Sequence, residues 1–261
     1  MNATEIPPFG LLAGYGLLII PFAILLWAKV GVAGKVAVSV IRMTVQLLFV
    51  GLYLQVVFKL NNPWLNTLWL LVMITVADIS IIRHAGLSFR RLALPLFIAL
   101  LVGTAIPLFY FVGIILFHSN LLEARFVIPI GGMILGNCLR ADIIGVRKFY
   151  SSIRQGNKVF LQQLAEGATL SEATHPYLRD ALHEALAPTI ATMATVGLVS
   201  LPGMMTGVIL GGSDPSLAVM YQIAIMIAIF TGTSITILLA ILLSRKVAFN
   251  SYGLLKNQIF Q

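Results

Sequence analysis

Residues Val196–Gly212 read VGLVSLPGMMTGVILGG. None is charged, five are glycine, and Pro202 stands in the middle. A water-soluble core rarely holds so flexible a run, because glycine loses more chain freedom on folding than any other residue. An uninterrupted membrane helix does not call for it either, since proline removes an amide donor from the helical ladder. The stretch reads as an apolar span with a break near Val199–Pro202.

The rest of the chain supports a membrane setting. Of its 261 residues only 10% are charged, and the mean hydropathy is +0.98. Soluble domains carry charge on about a quarter of their residues. A bilayer core is crossed by about 20 helical residues, and apolar stretches near that length recur at 9–28, 36–58, 64–82, 92–117, 126–144, 186–210 and 217–243. The fold class is all-α and polytopic, with about seven transmembrane helices. We read one domain over 1–261, with a polar segment at about 145–185. The net charge of +8 does not indicate nucleic acid, because the basic residues cluster between apolar spans. The single Cys138 excludes an internal disulfide and a thiolate metal cluster. No basic region precedes the first apolar span, so it is expected to stay in the mature protein.

Charge placement sets the orientation. Lys29 and Lys35 lie in the first loop, Arg83, Arg90 and Arg91 in the third, and Arg147, Lys148, Arg154 and Lys158 in the fifth. Arg245 and Lys246 begin the tail. With seven spans these all fall on one side, while the other holds only Lys59 and Arg125. The positive-inside rule then puts the N-terminus outside and the C-terminus in the cytoplasm.

Several polar residues interrupt the spans. Arg42 and Gln46 share a helix face; Arg42 reads as snorkelling or as a partner for Asp78, and Gln46 as packing inside the bundle. Gly132 and Gly136 form a small-xxx-small face for close packing. Asn137, Arg140 and Asp142 follow, and either anchoring or a translocation path accounts for them. Pro202, Gly203, Met204 and Met205 join them as candidate path residues. His84, His118, His175 and His183 are scattered, so the metal ligands stay unassigned.

In the polar segment, Gly167 ends one amphipathic stretch, and Thr169 with Glu172 has capping-box spacing. The spacing predicts a short cytoplasmic helix, with Pro176 starting the next turn. It fits a docking element or a plain connector. There is no Walker lysine motif, nucleophile constellation or paired-carboxylate site, so the chain is not expected to be an enzyme.

Four runs carry a family resemblance: Thr195–Ile223, TVGLVSLPGMMTGVILGGSDPSLAVMYQI; Pro129–Leu139, PIGGMILGNCL; and, between them, LAEGATLSEA and RDALHEALAPTI. The chain resembles the FetB-type ABC permeases, the UPF0014 family, which includes plant aluminium-sensitivity permeases. The resemblance covers nearly the whole chain and implies a homodimer of permease subunits working with two copies of a cytoplasmic ABC ATPase. ATP and magnesium would bind the ATPase, and this chain would bind no cofactor. It implies a multi-pass protein of the bacterial inner membrane whose cargo is iron or another metal. The alternatives are an organic solute such as UDP-glucose, or a non-transporting scaffold. Glu166–Leu178 would dock the ATPase, with Glu166, Gly167, Ala168, Thr169, Leu170, Glu172 and Arg179 as coupling residues. Ala168 and Leu170 are expected to enter an apolar groove of the partner, with Glu166 and Glu172 at its rim.

Overall fold

A computed structural model describes residues 7–260, and all of its regular structure is helical. The order is α1 Pro8–Gly16, α2 Ile19–Trp27, α3 Ala33–Leu60, α4 Pro63–Ala85, α5 Phe89–Tyr110, α6 Ala124–Gln155, α7 Asn157–Ala165, α8 Leu170–Thr195, α9 Gly203–Leu210 and α10 Pro215–Ala248. A π-helical turn, Phe111–Ile115, extends α5. Among the described residues, six segments are long and apolar enough to cross a bilayer: Phe9–Trp27, α3, α4, α5 with its π turn, α6 and α10. The protein is an all-α polytopic membrane protein.

The expected span at 186–210 departs from this pattern. Its first part belongs to α8, which starts at Leu170 and ends at Thr195. A non-helical stretch, Val196–Pro202, precedes the eight residues of α9. The short helix expected before Pro176 is therefore the first part of one long helix. Pro176 and Pro188 both lie inside it. A proline deletes one amide from the ladder, and here the burial of Ala173, Ala181 and Ala185 against the neighbouring helices outweighs that loss.

The packed body consists of α4, α5, α6, α8 and α10. Lipid tails are as apolar as leucine, so helices in a bilayer associate through close packing. The closest approach joins α5 to α10. A Cβ on Gly103 would lie 2.3 Å from Thr236 Cγ2 and 3.1 Å from the Gly232 carbonyl oxygen. A Cβ on Gly232 would lie 2.9 Å from the Gly103 carbonyl and 2.8 Å from Ile134 Cγ2 of α6. Gly145 does the same for α6, with Ile237 Cδ1 at 2.3 Å and Ala185 Cβ at 3.0 Å from its ideal Cβ. The small-xxx-small face is only half used: Met73 approaches Gly132, and Gly136 has open space.

Helices α1 to α3 lie outside this body. Phe9–Trp27 and the most apolar window of α3 bury no residue. Gln46 is exposed on α3, against the expectation of an inward position, because α3 meets the body mainly near its end. There Val57 packs with Ala124 and Ile128, and Tyr53 stacks on Trp69 at 4.1 Å. Asn61 Oδ1 accepts from the Ala124 amide at 3.0 Å.

The opposite end gathers the basic connections. The C-terminal tail runs back across it: the Ser88 amide donates to the Ile259 carbonyl at 2.7 Å, and Arg154 lies over the Phe260 ring at 4.9 Å. Phe249 packs on Phe160 of α7, and Arg245 donates to Thr174 Oγ1 of α8 at 2.9 Å. Contacts among the α4–α5 turn, the end of α6, α7, the start of α8 and the end of α10 thus bring the Arg83, Arg154, Lys158 and Arg245 regions to one end.

Replacing Gly103 or Gly232 with valine should lower the melting temperature of the purified protein by several degrees, because overpacking costs roughly 1–3 kcal/mol or more. Gly136→Ala should leave melting unchanged or slightly raised. Equal melting of all three variants would remove the α5–α10 approach as a stability determinant.

Candidate functional site

A cavity of about 510 Å³ opens between α6, α8, the start of α9 and α10. Small-molecule sites fall in the range of roughly 300–1,000 Å³. From α6 come Met133, Asn137 and Arg140; from α8 come Pro188, Thr189 and Thr192; from α9 and its cap come Pro202, Gly203 and Met204; from α10 come Gln222 and Met226. Helical spacing explains the α6 set, since 133, 137 and 140 lie on one face.

The polar groups of this cavity have distinct hydrogen-bond states. Asn137 Nδ2 donates to the Met133 carbonyl at 2.8 Å. Gln222 is 7% exposed, and its Oε1 has no hydrogen-bond partner. Thr192 donates to the Pro188 carbonyl at 2.9 Å. Arg140 takes part in neither of the two ion pairs among the described residues, His118–Glu123 and Lys148–Glu184. Among the described residues, no carboxylate, imidazole or thiol lines the cavity.

The glycines of the opening stretch divide into separate roles. Gly197 has φ +85 and donates to the Ser200 carbonyl at 2.9 Å, while Leu198 and Val199 amides turn back to Thr195. Gly212, at φ +89, turns the chain after α9. Pro202 is the N-cap of α9, with φ −62 and ψ 145, and offers no side-chain cap to the first-turn amides. A Cβ on Gly203 or Gly207 would meet nothing within 4 Å, so neither glycine is required for close packing within this chain.

Five of the seven path residues proposed from sequence meet here: Asn137, Arg140, Pro202, Gly203 and Met204. Asp142 does not. It is fully buried, and both of its oxygens lack hydrogen-bond partners. Met205 does not line the cavity. Asp78 is also buried and forms no ion pair with Arg42, which is exposed on α3. The sequence reading missed Gln222, Thr189 and Thr192. An amide inside the apolar run of α10 was the available signal for Gln222.

At the basic end, Gly167 takes φ +97. Thr169 and Glu172 form a reciprocal capping box: the Thr169 amide donates to Glu172 Oε2 at 2.8 Å, and the Glu172 amide donates to Thr169 Oγ1. Hydrogen bonds from the Thr169 hydroxyl, then its amide, hold the exposed Glu172 carboxyl below its ordinary value. Glu166, Gly167, Thr169, Glu172 and Arg179 are exposed. Ala168 and Leu170 are half-buried and pack against the protein's own core. Leu164 and Leu170 both approach Gly253 of the tail.

Fold and cavity together define a polytopic helical membrane protein with a recess between α6, α8, α9 and α10. Residues 8–249 match the Uncharacterised protein family (UPF0014), and the chain belongs to that family. It is 37% identical to the UPF0014 membrane protein slr1647 of Synechocystis sp. over 223 residues, 85% of this chain and 86% of that one. It is 34% identical over 196 residues to "Protein ALUMINUM SENSITIVE 3" of Arabidopsis thaliana, 74% of this chain and 69% of the relative. It is 30% identical over 251 residues to the "Probable iron export permease protein FetB" of Escherichia coli, 96% and 95% of the two chains. No solved structure matches.

Pro202→Ala should leave the interruption in place, because the helix already ends at Thr195 and Gly197 sets the turn. Gly197→Val should disturb it, since a left-handed conformation costs a β-carbon residue about 1–2 kcal/mol. Spin-label distances between positions 195 and 206 check this: unchanged in Pro202→Ala, broadened in Gly197→Val. A shift to continuous-helix spacing in Pro202→Ala would make the proline itself the cause of the break.

Proposed function

We propose that this chain is the membrane permease subunit of an ATP-driven exporter, with iron or another metal ion as cargo. One observation carries the reading: the capped turn at Thr169 and the cavity wall at Pro188–Thr192 belong to the same helix, α8. Its 26 residues span roughly 39 Å. A partner pressing on the exposed turn at Glu166–Glu172 moves the wall of the cavity directly. The iron export permease name of the Escherichia coli relative supplies the cargo.

In this reading two ATPase copies dock at the basic, cytoplasmic end and carry ATP and magnesium, and the permease works as a homodimer in a bacterial inner membrane. The α8–break–α9 segment completes a seventh crossing, with the N-terminus outside. Non-helical backbone at membrane depth is tolerated where it lines a cavity, which suits Val196–Pro202. An organic anion such as UDP-glucose is the second reading, favoured by Arg140 in the cavity lining.

Co-reconstitution with the partner ATPase tests the assignment. Metal-stimulated ATP hydrolysis and vesicle transport are expected. A complex that hydrolyses ATP with no response to metal, yet moves UDP-glucose, would overturn the cargo and leave the permease. Gly167→Val should keep the ATPase bound but reduce transport per ATP severalfold, because φ +97 strains any side chain and shifts the α8 cap. Unchanged coupling would mark the turn as a plain connector. Single cysteines at 31, 86 and 167 should react only from the cytoplasmic side; labelling from outside would invert the topology.

A further inference from the structure

We propose that α3 of one protomer lies along the α8–α9 break of a second copy of this chain, and the reverse, across a two-fold axis. The proposal assigns the surface of the homodimer in the reading above, and it rests on that reading for the seventh crossing through α8 and α9.

Arg42, Gln46, Tyr53 and Val57 follow one another along α3 at intervals of four, seven and four, so they share one helix face. At the Leu60 end this face meets the body: Val57 packs with Ala124 and Ile128, and Tyr53 stacks on Trp69. Toward the basic end the same face comes away, and Gln46 and Arg42 are exposed. The protein's own first helices do not cover them. Thr44, two residues from each, is turned about 200° away, and Thr44 is the residue that bonds the Tyr15 hydroxyl of α1, at 2.6 Å. Gln46 stands midway along the 28 residues of α3, roughly 20 Å from either end. Arg42 is long enough to snorkel to the headgroups; Gln46 is not, and hydrocarbon offers its amide no partner.

The break has the complementary need. Among the described residues, the carbonyls of Gly197, Leu198, Val199 and Leu201 accept no backbone hydrogen bond, and Leu198 and Val199 are 90% and 81% exposed. The eight residues of α9, roughly 12 Å, separate the break from the turn into α10, which sets the break inside the crossing. Irregular backbone at that depth is found only where protein buries it or water lines it. The cavity takes up Pro202 and leaves Gly197–Leu201 outside its lining.

The two surfaces stand at one level. Leu70 approaches Gly131 of α6, which sets Trp69 and Tyr53 near the level of Gly131. Gln46 is seven residues from Tyr53, and Asn137 is six from Gly131, roughly 10 Å and 9 Å toward the basic end. Asn137 shares the cavity with Pro202, so the break lies level with Gln46, as an axis along the membrane normal requires. One surface offers amide and guanidinium donors and the other offers carbonyl acceptors. A two-fold axis makes that pair self-complementary and closes the assembly at two copies. A single foreign helix would cover one surface and leave the other open.

Cross-linking of the full-length chain in membranes tests this. Gln46→Cys and Val199→Cys are carried on separately tagged copies, co-expressed and oxidised; the native Cys138 is buried and stays in place. A disulfide dimer containing both tags is expected, severalfold above the yield from Leu94→Cys with Val199→Cys, Leu94 being an exposed position of α5. Mass measurement in nanodiscs should give a dimer, and Gln46→Trp should raise its dissociation constant about tenfold or more with helical content unchanged. A dimer without the 46–199 cross-link would overturn this surface and leave the homodimer standing. A monomer, with and without the ATPase, would overturn both. A cross-link within one chain carrying both cysteines, at monomer mass, would mean that α3 folds over its own break and would also overturn the assignment. A cross-linked dimer that binds no ATPase would keep the interface and sink the exporter reading.

Discussion

The bundle depends on one backbone contact in the membrane. Gly103 and Gly232 place the carbonyl of each helix where the other's side chain would begin. Without a hydrophobic force between helices in lipid, such close approach supplies much of the packing energy. At the same point Ile134 and Cys138 of α6 reach Gly232, so three spans are registered together. That register puts Gln222 and Met226 of α10 opposite Asn137 and Arg140 of α6 and leaves a recess above the junction.

Helix α6 then separates the charges of the protein's interior. One face buries Asp142 away from solvent. Another carries Arg140 into the recess. Asp142 follows Arg140 by two residues, which a helix rotates by about 200°. The arrangement keeps the acids out of the cavity and gives that cavity a positive character.

The basic end is held as a unit. The tail joins the α4–α5 turn through Ser88, passes beneath Arg154, and meets Leu164 at Gly253. The α8 cap sits on this platform and the same helix continues to the cavity wall, so a displacement at the turn is not absorbed by a loop on its way inward.

Much of this protein was legible in its residues. Apolar spans of bilayer length, basic connections and the Thr169–Glu172 spacing report local constraints, and a bilayer enforces them on each segment separately. The break before Pro202 was legible for the same reason, since glycine and proline act on their own backbone. Only the tertiary structure decided which glycines bring helices together. Gly136 fits a packing pattern but meets nothing, whereas Gly103 and Gly232 lie 129 positions apart and form the central contact. It alone separated Arg140 from Asp142 and joined the capped turn to the cavity through one helix that runs on past Pro176. Those outcomes follow from packing between distant segments, which no local pattern encodes.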